Sequence, residues 1–271
     1  MIPKITIQLY SVREQATADY EGTIRAIADM GFGCVEPAGY PGTTPAKAAS
    51  LSKELGLEAP SCHGPLPLGD NRNAIIDQAL AMGHKYIITG VPPGGKASVA
   101  AADAIKATAG LYVEAAEFAA QHGIQIGYHN HDWDLADVDG TPGYRLFLEH
   151  TPESVLWEAD LFWVTKAGLD PVAFVQEIGP RGKLLHFKDG VINAGDTFIE
   201  AETESGKVMV SKASPFLPAG AGDINLLGAA KVAMHTEYIA VELDSYTGDM
   251  MQAVQQSYTY LTKHGIASGR K

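Results

Sequence analysis

Four segments, 124-IQIGYHNH-131, 154-SVLWEAD-160, 183-KLLHFKD-189 and 238-YIAVELD-244, run from apolar residues into polar ones. Each has the length and the β-branched or aromatic content of a buried strand. Where two polar residues end a segment they stand two positions apart, which puts both on one face of a strand. The sequence therefore predicts four strands that present the following side chains at their carboxyl ends: His129, His131, Asp160, His186, Lys188, Glu242 and Asp244.

Strand-like and helix-like stretches alternate eight times along the 271 residues, which indicates βα units and a parallel sheet. The other four strands are predicted at 5-ITIQLY-10, 34-CVEPA-38, 58-EAPSCH-63 and 85-KYIIT-89. Glycines such as Gly56 and Gly83 follow helical stretches and predict their ends. Neither a GxGxxG nor a GxxxxGK[ST] motif occurs, so we expect an α/β protein with a single (β/α)8 TIM barrel over residues 1–271.

One stretch interrupts this alternation. Residues 190–222 are polar and glycine- or proline-rich, and they follow the seventh predicted strand. In such barrels the loops after the strands lie at the carboxyl face, where active sites are built. We therefore expect a long active-site loop at about 190–222.

The composition excludes several classes of protein. A net charge of -12 argues against a nucleic-acid surface and against a repair endonuclease, because phosphate binding requires clustered basic residues. No apolar run approaches the ~18 residues of a membrane span, and MIPKITIQLYSVREQ lacks the features of a signal peptide. We expect a cytoplasmic protein with a small-molecule partner, neither nucleic acid nor membrane, and leave homo-oligomer formation open.

The polar strand ends favour a metal site, since imidazoles and carboxylates together suit Zn, Mn, Co or Fe(II). Each residue alone has a structural explanation: Asp160 can cap a helix, and Asp189 can neutralise Lys188. Four successive strands bring such groups to one rim of the barrel, and a shared metal site explains this better than a separate structural role for each residue. Glu36 and His63 end earlier strands and are weaker candidates for the same site.

Seven motifs together resemble the xylose-isomerase-like barrel superfamily, also called the sugar phosphate isomerase/epimerase or AP endonuclease family 2 group. The resemblance covers essentially the whole chain. YHNH, DxxW followed by AGxDP, and HxKD in this order resemble one branch, which we name the YHNH-type branch. The motifs are VEPAGYPG (35–42), SCHG (61–64), YHNHDWD (128–134), WEADLFWVTKAGLDP (157–171), HFKD (186–189), GAGDIN (220–225) and VELD (241–244).

The resemblance implies one divalent metal ion, Mn, Co, Mg or Zn, held by residues of strands five to eight. Asp160, His186 and Glu242 match the last three ligand positions. Many members have Glu on strand five, where this chain offers His129, with His131 as the other choice. This departure puts in doubt the paired-glutamate proton shuttle of the family's epimerases. A family His three residues after the strand-six Asp is also replaced, by the residue Trp163.

The resemblance further implies a sugar isomerase or epimerase that acts through an enediolate. We expect His131, Glu242 and Lys188 to be catalytic, and a non-phosphorylated sugar or cyclitol to be the substrate. Two alternatives remain: a lyase that eliminates water or an aglycone from an inosose or keto-glycoside, and a non-catalytic sugar-binding barrel. The expected substrate contacts are Glu36, His63, Trp163 and Asp244.

Overall fold

The computed structural model describes residues 2–193, 199–203, 206–210 and 214–270. Eight parallel strands form a nearly closed barrel, which confirms the predicted (β/α)8 fold. Seven neighbouring pairs form ladders, whereas the second and third strands are joined only by single bridges, Cys34 to Glu58 and Ala38 to His63. The strands are β1 (Lys4–Gln8), β2 (Cys34–Glu36), β3 (Ser61–His63), β4 (Tyr86–Thr89), β5 (Gln125–His129), β6 (Leu156–Asp160), β7 (Leu184–Phe187) and β8 (Tyr238–Val241).

Ten described α-helices surround the strands, because several of the βα units contain more than one helix. Predicted helix ends at Gly56 and Gly83 are confirmed, and both glycines adopt a left-handed backbone that other residues rarely tolerate. The helices are α1 (Arg13–Ala18), α2 (Tyr20–Asp29), α3 (Pro45–Leu55), α4 (Arg72–Met82), α5 (Ala102–Ala120), α6 (Gly143–Glu149), α7 (Leu161–Lys166), α8 (Pro171–Ile178), α9 (Leu226–Val232) and α10 (Met250–Lys263).

Strand alternation separates the apolar core from the polar interior of the barrel mouth. Tyr128 and Trp157 are buried and stack with ring centroids 4.9 Å apart, and Phe147 of α6 packs against both rings. Their strand neighbours His129 and Glu158 therefore point to the opposite side, into the barrel. The aromatic packing outside the sheet thus fixes the register that brings polar groups together inside it.

The predicted loop at 190–222 lies partly outside the described residues, which omit 194–198, 204–205 and 211–213. Within the described part, Asp189–Gly190 pairs with Phe216–Leu217, and Ile199–Thr203 pairs with Gly206–Val210. Both pairings are antiparallel and separate from the barrel sheet. No helix of the described chain has the length and apolar character that crossing a membrane requires.

Candidate active site

The carboxyl ends of six strands bring imidazoles and carboxylates into contact. The barrel register sets His129 beside Glu158, and Asp160 beside His186. Glu158 and Asp160 are two apart on β6, so both face inward and Glu158 lies one layer deeper. We call the deeper set, His63, His129, Glu158 and His186, the imidazole layer, and the outer set, Asp160, Lys188, Glu242 and Asp244, the carboxylate layer.

In the imidazole layer, three ring nitrogens converge on one carboxylate oxygen. Glu158 Oε2 lies 2.7 Å from His63 Nε2, 3.1 Å from His129 Nδ1 and 3.1 Å from His186 Nε2. Glu158 is fully buried, and its other oxygen accepts no hydrogen bond from a described residue. A buried carboxylate must be paired to be stable, and here the partners are three imidazoles.

His186 connects the two layers. Its Nδ1 lies 2.7 Å from Glu242 Oε2, and its Nε2 lies 2.8 Å from Glu36 Oε2 as well as facing Glu158. Burial opposes protonation, but the three carboxylates outweigh it and raise the pKa of His186 well above its usual value. His129 differs: burial and the nearby His186 hold its pKa well below the usual value, so its imidazole is neutral.

The carboxylate layer is centred on an ammonium group. Lys188 Nζ lies 2.8 Å from Asp160 Oδ2, 3.0 Å from Glu242 Oε2 and 2.9 Å from Asp244 Oδ1. The lysine is 1% exposed, and burial alone would lower its pKa, yet the three carboxylates raise that pKa well above the usual value. Burial would likewise raise the pKa of Glu242, but Lys188 and His186 hold it well below its usual range.

Asp160 performs the capping role that was weighed against a site role, and it also faces the site. Its Oδ1 accepts hydrogen bonds from the backbone N–H groups of Phe162 and Trp163 at the start of α7. Its Oδ2 faces Lys188 and lies 3.9 Å from His129 Nε2. The two oxygens of one carboxylate therefore serve the helix and the site separately.

Six of the predicted site residues, His63 and His129 among them, line one cavity of about 420 Å³ at the barrel mouth. Two predicted substrate contacts, Glu36 and Trp163, are not part of the cavity lining. Glu36 is fully buried against His186, which makes it a support for that imidazole. The Trp163 ring lies 5.5 Å from Lys188 Nζ and 5.8 Å from the His131 ring. The cavity is lined by Tyr10, Ala38, His63, Gly90, Val91, His129, His131, Lys188, Glu242 and Asp244.

The prediction that each polar pair lies on a strand is wrong for the later member of the first two pairs and for both members of the third, Glu242 and Asp244. The strands end at His129, Phe187 and Val241, so His131, for example, lies in the following loop. The chain leaves the sheet there because no neighbouring strand continues the pairing. His131 still lines the cavity, where its ring stacks on Trp133 and its Nδ1 lies 3.7 Å from Asp134 Oδ2.

The ion pair between Asp189 and Lys188, weighed above as a structural explanation, is not formed. The Asp189 carboxylate turns away from the site and accepts four backbone N–H groups, those of Gly190, Gly220, Gly222 and Ile224. It thereby holds the GAGDIN segment against the end of β7. Strand alternation gives the reason, because consecutive residues point to opposite sides.

Sequence reasoning missed two residues that organise the site. Glu158 was overlooked although its position two residues before Asp160 places both on one strand face. Asn130 was assigned only to the opposite side from the histidines. Its amide oxygen accepts from Trp157 Nε1 at 3.0 Å and from the Asp160 backbone N–H at 3.1 Å, which ties β5 to β6.

The described residues fit a divalent metal ion. Two sets of four residues offer donor atoms within 4.8 Å of one another: the imidazole layer, and His129 and His186 with Asp160 and Glu242. Three carboxylates surround the Lys188 ammonium, and Glu36 and Glu158 add two more that no described lysine or arginine neutralises, so a further cation offsets negative charge that burial makes unfavourable. Mixed imidazole and carboxylate donors suit Zn, Mn, Co or Fe(II).

Comparison with known proteins finds similar folds among solved structures but no similar curated sequence. No protein-family model and no curated protein sequence matches the chain. A sugar phosphate isomerase/epimerase from Parabacteroides distasonis superposes with a TM-score of 0.78 at 21% identity, over 99% of this chain and 96% of that one. At this identity the likeness shows that the two chains share the TIM-barrel fold.

Two further barrels of this kind are structural neighbours. A probable 3-DHS dehydratase from Bacillus anthracis has a TM-score of 0.69 at 14% identity, over 96% of this chain and 98% of that one. The IolI protein, crystallised with a zinc atom, has a TM-score of 0.69 at 12% identity, over 97% and 98%. At these identities the likeness establishes the fold, while membership of the YHNH-type branch stays a prediction.

Proposed function

We propose that the protein is a divalent-metal-dependent sugar isomerase or epimerase that moves a proton on a carbon next to a carbonyl group. The observation that carries this proposal is the set of His129, Asp160, His186 and Glu242 donors beside one cavity. The cavity volume of about 420 Å³ is within the range of small-molecule sites. Sugar isomerases, epimerases and a dehydratase among its structural neighbours support the same class of chemistry.

The four donors would hold the metal ion in the carboxylate layer. There it would supply Lewis-acid stabilisation of negative charge on adjacent substrate oxygens. Glu158 would accept a hydrogen bond from His129 Nδ1–H, and Glu36 would accept one from His186 Nε2–H. These N–H groups face away from the ion, so the hydrogen bonds fix the orientation of both rings.

Three side chains that line the cavity, Glu242, His131 and Lys188, would transfer protons or donate hydrogen bonds to the substrate. Glu242 is ionised, since its pKa lies well below the usual range, and it can accept a proton from the substrate carbon. His131 lines the same cavity from the β5 side and is the partner base or acid. Lys188 keeps its proton, because its pKa is raised, so it donates hydrogen bonds to a substrate oxygen.

The substrate is best described as a non-phosphorylated sugar or cyclitol. The described lining of the cavity contains one lysine and no arginine, and the lysine is already surrounded by carboxylates. A phosphate group would add negative charge to this acidic site. Asp244, which is partly exposed, and Trp163 would contact hydroxyl groups of the sugar.

A lyase is the second candidate. A protonated Lys188 at the cavity can serve the leaving group in an elimination, and one structural neighbour is a probable dehydratase. The strand-five histidine supports this alternative, because a neutral His129 replaces the carboxylate expected for a paired-glutamate shuttle.

One experiment tests the proposal and separates the two candidates. The Mn-loaded protein is incubated in D₂O with keto-sugars, inososes and keto-glycosides, and the products are identified by NMR. Deuterium next to the carbonyl in a product of otherwise unchanged composition supports isomerisation or epimerisation, whereas loss of water or an aglycone supports the lyase. A protein that holds no metal and is indifferent to chelators contradicts both and favours a sugar-binding barrel.

Variants of the ligands connect the metal to this result. Glu242→Ala and His186→Ala should each lower the bound metal measured after dialysis and slow deuterium incorporation. His84→Gln is a matched control, since His84 is buried and bonds Ala59 O away from the cavity. Full metal occupancy in both ligand variants would show that other residues bind the ion.

A further inference from the structure

The imidazole layer has the donor arrangement of a metal site in its own right. Three imidazole nitrogens approach Glu158 Oε2 within 2.7 to 3.1 Å, from strands β3, β5 and β7. Groups on separate strands need not meet at one point to pack a barrel. Three histidines with one carboxylate form a ligand set that Zn²⁺ and Co²⁺ accept readily.

Unsatisfied carboxylate oxygens in the same layer favour the binding of a cation there. Glu158 Oε1 and Glu36 Oε1 are buried and accept no hydrogen bond from a described residue. Both carboxylates are fully buried, and Glu36 Oε1 lies 3.9 Å from His63 Nε2. Buried polar atoms without partners are uncommon, and a bound ion next to them would compensate their charge.

The carboxylate layer, by contrast, already contains a cation. Lys188 Nζ lies within 3.0 Å of both Asp160 Oδ2 and Glu242 Oε2. A metal ion binding there must displace this ammonium from two of its three partners. No lysine or arginine lies within ion-pair distance of Glu158 among the described residues, so the imidazole layer presents no such competitor.

His129 and His186 belong to both layers through different ring nitrogens. His129 turns Nδ1 to Glu158 and Nε2 to Asp160, and His186 turns Nε2 to Glu158 and Nδ1 to Glu242. A neutral imidazole has one nitrogen with a free lone pair and one that carries hydrogen. Each ring can therefore bind an ion in only one layer at a time.

From these contacts we propose that the imidazole layer is a second metal position, in which one divalent transition-metal ion rests, held by His63, His129, Glu158 and His186, before the substrate binds. The ion occupies this position or the carboxylate layer, never both, because the two positions share His129 and His186. The proposal rests on the metal dependence proposed above and adds a resting site to it.

X-ray absorption of the Co²⁺-loaded, substrate-free protein tests this proposal by counting imidazole ligands. The wild type is expected to bind one Co²⁺ with three imidazoles. His63→Gln should reduce the count to two and weaken Co²⁺ binding roughly 10- to 100-fold or more, the range seen when even a supporting ligand contact is lost. Asp160→Asn keeps the capping oxygen for α7 and should retain Co²⁺ with three imidazoles.

Folding and outcome are checked on the same samples. Thermal unfolding in chelator shows whether each variant is folded, and His84→Gln should keep three imidazoles. A count of two imidazoles in the wild type would overturn the second metal position. Asp160→Asn would then lose Co²⁺ and His63→Gln would keep its affinity, and the proposed enzyme would remain supported. Failure of the wild type to bind Co²⁺ would refute both proposals.

Discussion

The two layers of the site stabilise buried charge with opposite polarity. In the imidazole layer an anion, Glu158 Oε2, is surrounded by three imidazole nitrogens, whereas in the carboxylate layer a cation, Lys188 Nζ, is surrounded by three carboxylates. Imidazoles can be neutral and give up a lone pair to a metal, but an ammonium cannot. The comparison teaches that the first layer can bind a metal ion with Glu158 kept as a ligand, whereas in the second the ion must displace Lys188 from two of its partners.

The largest effect is expected from removing the centre of the carboxylate layer. Lys188→Met leaves Asp160, Glu242 and Asp244 without their cation in a buried position. Breaking one side of a buried ion pair costs about 3 to 5 kcal/mol, so we expect a loss of this size in the metal-free protein. Urea unfolding in the presence of chelator measures it.

Added metal should reverse much of that loss. Because the variant has no competing ammonium, Mn²⁺ should raise the urea midpoint of Lys188→Met more than that of the wild type. Equal stability of the two chelated proteins would show that the three carboxylates do not depend on Lys188, and the contrast between the layers would fail.

A third buried charge, Asp189, has neither imidazoles nor an ammonium group within ion-pair distance among the described residues. Four backbone N–H groups surround it, and Asp189→Ala removes the acceptor of all four. Buried donors without partners are costly, so we expect a loss of about 3 kcal/mol at neutral pH, measured by urea unfolding. Gly222→Ala should also destabilise, since a Cβ there collides with the Asp189 carboxylate.

The contribution of Asp189 to the free energy of unfolding should decrease as the pH rises. Burial raises its pKa from 3.8 to about 6, although the backbone N–H groups lower it. The folded protein therefore binds a proton between about pH 4 and 6 that the unfolded chain does not, and stability falls as the pH rises through this window. The difference between wild type and Asp189→Ala should be largest near pH 4. A difference that grows from pH 4 to 7 would contradict the raised pKa.

The sequence was sufficient for the barrel and for the rim at which the candidate site residues meet, because both follow from repeated local patterns. Apolar strand segments that end in polar residues located His129, Asp160, His186 and Glu242 at one rim, and the structure brings them together. The hydrogen-bond and ion-pair partners of each side chain were harder to predict, since they depend on which strands are neighbours and on how deep in the barrel each residue lies. Glu158 was missed because its environment is created by His63 and His186 from distant strands.

Asn130 tests whether the two layers depend on a common scaffold. Asn130→Ala leaves the Trp157 indole and the Asp160 backbone N–H without their acceptor, which we expect to cost about 2 kcal/mol. The same hydrogen bonds hold the end of β6, and with it Glu158 and Asp160, in position relative to the end of β5. Metal binding should therefore weaken in Asn130→Ala while unfolding remains a single transition. Unchanged metal affinity in a destabilised variant would mean that the layers are positioned without this contact.

The smallest effect on stability is expected at Trp163, beside the carboxylate layer. Its indole nitrogen is buried and has no hydrogen-bond partner among the described residues, so Trp163→Phe removes no protein contact of that group. We expect the free energy of unfolding to change by less than about 0.5 kcal/mol. If the indole donates to a sugar hydroxyl, the KM of the active substrate should rise about fivefold, since one hydrogen bond is worth about 1 kcal/mol.

Trp133→Phe is the matched comparison, because Trp133 stacks on His131, which lines the same cavity. Phenylalanine preserves that ring contact, so the variant should keep the KM of the wild type. An unchanged KM in Trp163→Phe as well would show that the indole N–H does not bind substrate. The carboxylate layer would then contact the sugar through Lys188, Glu242 and Asp244, the charged groups that reach the cavity.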